Sequence, residues 1–422
     1  MRHLLQHRGL RLVLVASLVS MVGSGMNMAA VIWYILQETG SEMALGKLVV
    51  LQTIPALLMM PFTGVVIDRQ DRRHLLMLLD GFRFAVVLVV AVLAWYGRAQ
   101  VWHLYLMAIL LAAAFWMFWP TLTALVQELT PESEFVHANT FMLAGFQGGW
   151  LVAGAIVGFV YNHVGLAGVL LLDCLTYLVS LLCYFLVRRG RQVVARPPAP
   201  EWLAHEGPVA HWWHELREGI HYLHHRRYLV LQGSAWALFI AAMLAQGVIT
   251  APLSDRILRA GSVGYGLLNA GWAAGAVLSA VYAPAAIRRL GGRRAVGLSL
   301  AVLATCMFVV PFSLGLTMAV MLFALMGSAR GVGGVSISTS LMEAVPKHFM
   351  GRVQNIFFFA GTALQLGLGY AVGVTAERWS LPAAFAVIAL VYVAACAAAV
   401  WPVARPADLP QAVEVGVAGD AS

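Results

Sequence analysis

Runs of about 20 apolar residues recur along this chain, each long enough to cross some 30 Å of hydrocarbon as a helix. Lipid offers no hydrogen bonds to an exposed peptide group, so such a run must satisfy its own backbone, and a helix does that. The 422 residues are 61% hydrophobic and only 11% charged, with a mean hydropathy of +0.81. So little charge cannot cover a surface that faces water. We expect an all-α membrane protein of twelve spans. The amino half reads roughly as 11–36, 43–67, 75–97, 101–127, 138–161 and 166–187; the carboxyl half reads roughly as 228–253, 263–287, 295–314, 316–342, 353–376 and 381–402. The first run is too long for a signal-peptide core and no small-residue cleavage site follows it, so it is expected to stay as a membrane helix. Cys174, Cys183, Cys306 and Cys396 lie inside spans without metal or disulfide spacing and read as small packing residues.

The organisation predicted is a six-helix bundle over 1–187, a linker over 188–227, a second bundle over 228–404 and a tail over 405–422. The linker opens Pro-rich and continues as "HWWHELREGIHYLHH", where Trp213, Leu216, Ile220 and Leu223 form an apolar stripe with Trp212 beside it. An amphipathic helix on the membrane surface accounts for this stretch. His211, His214 and His221 lack the cysteine or acid that would complete a metal set, so no metal is expected. Of the 27 Lys and Arg residues, about twenty fall on the side that holds both termini, among them Arg69, Arg72, Arg73, Arg288 and Arg289. The topology rule makes that side cytoplasmic. The net charge of +8 follows from this asymmetry and gives no support to nucleic-acid binding.

The halves echo one another. Residues 126–145 align without gaps on 341–360, placing Glu128 on Glu343, Pro131 on Pro346 and His137 on Arg352. The basic turn after span 2 is answered by "APAAIRRLGGRRAVG" at 283–297. Two six-span halves in parallel repeat describe a secondary transporter that rocks about a site near the membrane midplane.

The turn after span 2 reads "GVVIDRQDRRH", with Gly64, Asp68, Arg69, Arg72 and Arg73 in the spacing G-x-x-x-D-R-x-x-R-R. It resembles the loop 2–3 signature of the major facilitator superfamily. The resemblance implies a cytoplasmic gate that latches the halves together. Read from the residues alone, Asp68 is placed to cap the next helix. "LQETGSEMALG", "DGFRF", "LLLDCLTYLVS", "ELREGIHYLHHRRYL" and "GRVQNIF" are similar to the bacterial branch holding enterobactin-type siderophore exporters and macrolide efflux pumps. Span 5 resembles the antiporter motif but has Ala155 where proline is usual, and span 4 lacks the arginine of many proton antiporters.

Ionisable residues inside spans are costly and therefore functional candidates. Asp80 and Arg83, three apart on span 3, are expected to pair and to join the gate network, with Glu128 and Glu343 as gate partners for the basic loops. Asp173 on span 6 is read either as a structural aspartate or as the proton carrier. Arg330, near the middle of span 10 with no acid deep in its half, is placed to hold an anion; snorkelling or pairing with freed carbonyls is the alternative. In the fold that the resemblance implies, spans 1, 4, 7 and 10 line the cavity. Asn27, Gln52 and Gln246 are candidates for hydrogen bonds to a ligand, and Trp33, Trp116, Trp119 and Trp236 for stacking on it.

No phosphate-binding glycine loop, zinc-protease signature, nucleophile elbow or dinucleotide fingerprint occurs. An enzyme is not expected, nor is a cofactor. The reading is an exporter working by alternating access, proton-coupled and set in a bacterial inner membrane by family resemblance, for a mid-sized, partly aromatic, anionic compound such as a siderophore. Its partners would be that small molecule, protons, the lipid bilayer and a periplasmic or outer-membrane export partner. A macrolide-type drug pump and a non-transporting membrane sensor or assembly factor are the alternatives.

Overall fold

The computed structural model describes residues 8–130, 135–187, 207–224, 226–345 and 347–401. Every regular element in them is helical. The amino half contains α1 (Arg8–Thr39), α2 (Glu42–Arg69), α3 (Arg72–Trp95), α4 (Val101–Leu129) and α5 (Phe135–Leu186). The linker contributes α6 (Pro208–His224). The carboxyl half contains α7 (Arg227–Ala245), α8 (Gly247–Pro252), a π-turn over Leu253–Ile257, α9 (Gly261–Leu290), α10 (Gly292–Val309), α11 (Leu316–Ala344), α12 (Lys347–Arg378) and α13 (Leu381–Val400).

Eleven segments of the described residues are long and apolar enough to cross a membrane. The twelfth span is the first arm of α5. That helix runs through both expected spans 5 and 6, broken only at Gly165, whose φ of 63° and ψ of −168° turn the chain back. A side chain is strained at that φ and glycine is not, so one residue does the work of a loop. Large apolar side chains stand outward around the bundle, among them Leu78, Val281 and Leu390. They face hydrocarbon at no cost, which a water-exposed surface of this size would not allow.

The helix ends follow local chemistry. Ser41 caps α2 by accepting the Ala44 N–H at 3.2 Å. Asp71 caps α3 by accepting from the Arg73 and His74 N–H groups at 3.0 and 3.2 Å. This corrects the expectation for Asp68, which is still inside α2. The chain leaves that helix only after Arg69, so the aspartate three residues later takes the cap. The side chains of Asp68, Arg69 and Glu343 and the surroundings of Gly64 lie outside what is described, as does the tail from 405.

Antiparallel succession gives the bundle two ends. One carries the basic turns with Arg72, Arg73, Arg293 and Arg294 and is called the basic end; the other carries the turns after α1, α3 and α12. A large apolar core joins both halves, with Trp33, Leu45 and Val157 from the amino half against Ile249, Leu268 and Phe385. A second core near the basic end belongs to the amino half alone and holds Leu76, Phe118, Leu122 and Tyr184. α6 docks through Leu223 and through Trp212, whose ring lies 5.4 Å from that of Phe359 on α12. Trp213 and Ile220 of the expected stripe stay exposed.

Glycines let the halves touch backbone to backbone away from the basic end. A Cβ on Gly46 of α2 would meet the Gly369 carbonyl of α12 at 2.9 Å, and one on Gly266 of α9 would meet the Gly154 carbonyl of α5 at 2.8 Å. Both are closer than a real Cβ tolerates, so only glycine fits.

Candidate functional site

A cavity of about 230 Å³ lies at mid-depth between the halves. Asn27, Met28 and Val31 of α1, Gln52, Thr53 and Ala56 of α2, and Phe115 and Trp116 of α4 form its amino-half wall, with Met107, Ala108, Leu111 and Ala112. Leu244 of α7 and Thr362 and Gln365 of α12 close it from the carboxyl half. Trp116 also reaches across the interface, its ring 5.2 Å from Phe358 in an edge-on contact. Thr53 and Thr362 donate their hydroxyls to their own helices, to the Val49 and Phe358 carbonyls. Gln52 and Gln365 make no described hydrogen bond, so two carboxamides are available to a ligand. Among the described residues the lining carries no charged side chain. The surface is that of a site for a partly aromatic molecule with scattered hydrogen-bonding groups.

Charge sits one layer behind it. On the amino side, Asn27 donates from Nδ2 to Oδ2 of Asp173 at 2.7 Å, and both are buried. The Thr176 hydroxyl reaches Oδ1 at 3.3 Å. Gly23 on α1 makes room for this pair, since a Cβ there would collide with Thr176 and Asp173. Beyond it, Ser24 and Tyr177 share a hydrogen bond of 3.0 Å. Asp80 and Arg83 form the ion pair their spacing predicts, and both are fully buried. Ser180 donates to Asp80 at 2.5 Å, while the guanidinium lies 3.9 Å from the Phe118 ring centre and 4.8 Å from that of Tyr177. The pair thus ties α3 to α4 and α5 inside the amino half.

On the carboxyl side, Arg330 is half-buried on α11 and donates from Nε to the Met243 sulfur at 2.8 Å. It has no described acidic partner. The Tyr392 phenol is within its electrostatic reach and has no hydrogen-bond partner of its own. Met243 directly precedes Leu244 of the cavity wall, and Arg330 itself is not among the lining residues.

The other candidates spread out. Trp33 is buried at the interface, stacked on Tyr265 with ring centres 6.1 Å apart. Trp119 and Trp236 pack partly buried against apolar cores. Gln246 is buried where α7 gives way to α8, and its carbonyl accepts the Thr250 hydroxyl. The structure therefore brings Asn27, Gln52 and Trp116 to one cavity and leaves Trp33, Trp119, Trp236, Gln246 and Arg330 off its wall.

At the basic end, Arg72 donates to the Ala124 carbonyl at 3.1 Å and lies 3.6 Å from Glu128. Arg73 binds the Tyr184 and Phe185 carbonyls at 2.7 and 2.6 Å. These contacts hold the α2–α3 turn to its own half. At the opposite end the polar contacts cross the interface. Glu42 at the start of α2 pairs with Arg256 of the π-turn at 2.5 Å, and Arg256 also binds the Gly40 carbonyl. Glu377 of α12 accepts from the Ser41 hydroxyl and, at 3.0 Å, from the Met43 N–H. Ser262 of α9 donates to Asn162 of α5 at 2.7 Å. Sequence reasoning passed over Glu42, Glu377, Thr362 and Gln365. The one local signal was that Glu42 and Glu377 are among the few acids on their side, with Glu38 and Asp255.

Residues 13–366 match the model of the Major Facilitator Superfamily, and the chain belongs to that family. It is a multi-pass membrane transporter and not an enzyme. Macrolide efflux protein A of Streptococcus pyogenes is 24% identical over 170 residues, 40% of this chain and 42% of that protein. The uncharacterized MFS-type transporter YkuC of Bacillus subtilis is 24% identical over 243 residues, 56% of this chain and 54% of that protein. The chain thus spans about half the length of the curated relatives it matches. Among solved structures, the nucleoside transporter NupG superposes with a TM-score of 0.75 at 12% identity. A bacterial homologue of the iron transporter ferroportin, in its inward-facing state, superposes with a TM-score of 0.67 at 17% identity. Each comparison covers 93% of this chain and 98% of the other, and at these identities they speak for the fold.

Proposed function

We propose that this protein is a proton-coupled exporter of the inner membrane that moves a mid-sized, partly aromatic, drug-like compound out of the cytoplasm by alternating access. The observation that carries the reading is one mid-depth cavity walled by both halves, with the end opposite the basic turns clasped by Glu42–Arg256 and Glu377–Ser41. With the basic end cytoplasmic by the distribution of Lys and Arg, this is an inward-facing arrangement, ready to load from inside. The uncharged, carboxamide-bearing lining with Phe115 and Trp116 suits the body of such a compound, in keeping with the drug-efflux protein that matches part of the chain. An anionic siderophore is the second reading. It rests on Arg330, which does not line the cavity and would have to move to meet the ligand.

Asp173 is the proton carrier in this scheme. It is buried, no cation among the described residues is bonded to it, and Arg83 is engaged by Asp80. When Asn27 turns away, its carboxylate gives up that hydrogen bond and can exchange a proton. The test is uptake of radiolabelled norfloxacin, a partly aromatic drug, into inside-out vesicles with an imposed pH gradient. Gradient-driven uptake by the wild type is expected, with Asp173→Asn losing the response to the gradient. If Asp173→Asn still concentrates the drug, the proton lies elsewhere. If the wild type takes up neither norfloxacin nor a catecholate siderophore while folded and energised, export itself is rejected.

A further inference from the structure

Two charges of opposite sign, a buried carboxylate and a half-buried guanidinium, stand behind residues of the cavity region, each held by a weak partner of its own half. On the amino side Asp173 is separated from the cavity by one residue, Asn27, which itself lines the wall and occupies Oδ2. On the carboxyl side Arg330 gives its Nε to the thioether of Met243, the residue before Leu244 of the wall. The only other buried ions described nearby, Asp80 and Arg83, neutralise one another. A carboxamide and a sulfur are poor substitutes for an opposite charge, since charge-assisted bonds are roughly twice as strong as neutral ones and sulfur is a weak acceptor. Burying a charge without an ionic partner is expensive, and a structure keeps such a residue where a ligand supplies the partner.

We propose that the substrates of this transporter are zwitterions: an ammonium displaces Asn27 from Asp173 at one end, and a carboxylate displaces Met243 from Arg330 at the other. The aromatic body between them lies along Trp116 and Phe115, with Gln52 and Gln365 serving its polar substituents. Tyr392, whose buried hydroxyl has no described partner and which lies beside Arg330, supplies a further donor to the carboxylate once the site opens. Loading then gives both charges a partner at once, and because they belong to different halves the ligand draws the halves together. A singly charged ligand satisfies one half and leaves the other as it was. The inference rests on the transport reading above and specifies the substrate class.

One scaffold in three charge states tests it. Norfloxacin is a zwitterion at pH 7.5, its ethyl ester a cation and its N-acetyl derivative an anion. Binding to the full chain in nanodiscs, read by tryptophan quenching and checked calorimetrically, should favour the zwitterion over either derivative by about tenfold or more, the scale of one charge-assisted hydrogen bond. Arg330→Gln should abolish the preference of zwitterion over ester. Asp173→Asn should abolish the preference of zwitterion over the N-acetyl derivative. Equal binding of all three compounds by the wild type, tightest binding of either derivative, or binding of none overturns the proposal; the ligand series needs no variant to fold. Flux measured on the same compounds separates the two claims. Gradient-driven uptake without charge preference rejects the zwitterion and leaves export standing, whereas binding with the expected preference but no flux for any compound rejects export.

Discussion

Each half of this transporter sets one arginine inside a membrane helix, and the two are held in opposite ways. Arg83 has an acid three residues before it on the same helix, an aromatic ring on either side and a serine completing its acid. Arg330 has a methionine sulfur and an unpaired phenol nearby, and no described acid. The first arrangement is closed: its charges cancel within the fold. The second is open. Desolvation is endured there without a protein counter-charge, which is what a binding residue looks like before its ligand arrives.

Replacement of each arginine by a neutral residue should therefore move stability in opposite directions. Arg83→Met strands a buried Asp80, and the cost is about 3–5 kcal/mol, read as a large fall in melting temperature in detergent. Asp80→Asn combined with Arg83→Met should recover much of that loss, because removing both partners leaves no stranded charge. Arg330→Met should hold or raise the melting temperature, since it deletes a desolvated charge. A fall of similar size at both positions would erase the distinction between a structural and a functional arginine. In transport the order reverses. Arg330→Met should lower flux of a carboxylate-bearing substrate at least about tenfold, from a bond worth roughly 1.5–3 kcal/mol.

Smaller effects sharpen the picture around the cavity. Trp116→Ala removes one stacking wall worth about 0.5–1.5 kcal/mol, so an aromatic ligand should bind about two- to tenfold more weakly with little change in the folded fraction. Glu42→Gln weakens the clasp at the end opposite the basic turns, and a shift of about fivefold in the balance of conformers is expected. Spin labels at Arg98 and Trp379, both exposed near that end on different halves, would report it as a growing population at long distance. An unchanged distance distribution would mean that the glycine contacts of Gly46 and Gly266 close the end unaided.

Much of the fold was legible in order along the chain. The spans, the helical linker and the Asp80–Arg83 pair each depend on residues within one or two helical turns, where spacing specifies contact. Asn27 and Asp173 were each singled out as ionisable or polar residues within the membrane, yet nothing local says that they bond across 146 positions. Trp33 reads like Trp116 in sequence, but one stacks on Tyr265 in the interface and the other lines the cavity. The clasp was missed for the same reason, since Glu42 and Arg256 meet from different halves.

The sequence by itself determined the solvent, the helices and their number, because length and hydropathy act locally and lipid admits few backbone solutions. The tertiary structure alone decided which buried charge is cancelled and which stays open, and which amides face the cavity. Those outcomes depend on close approach between distant helices, set by glycine contacts and packing across the interface, and no one-dimensional spacing encodes them.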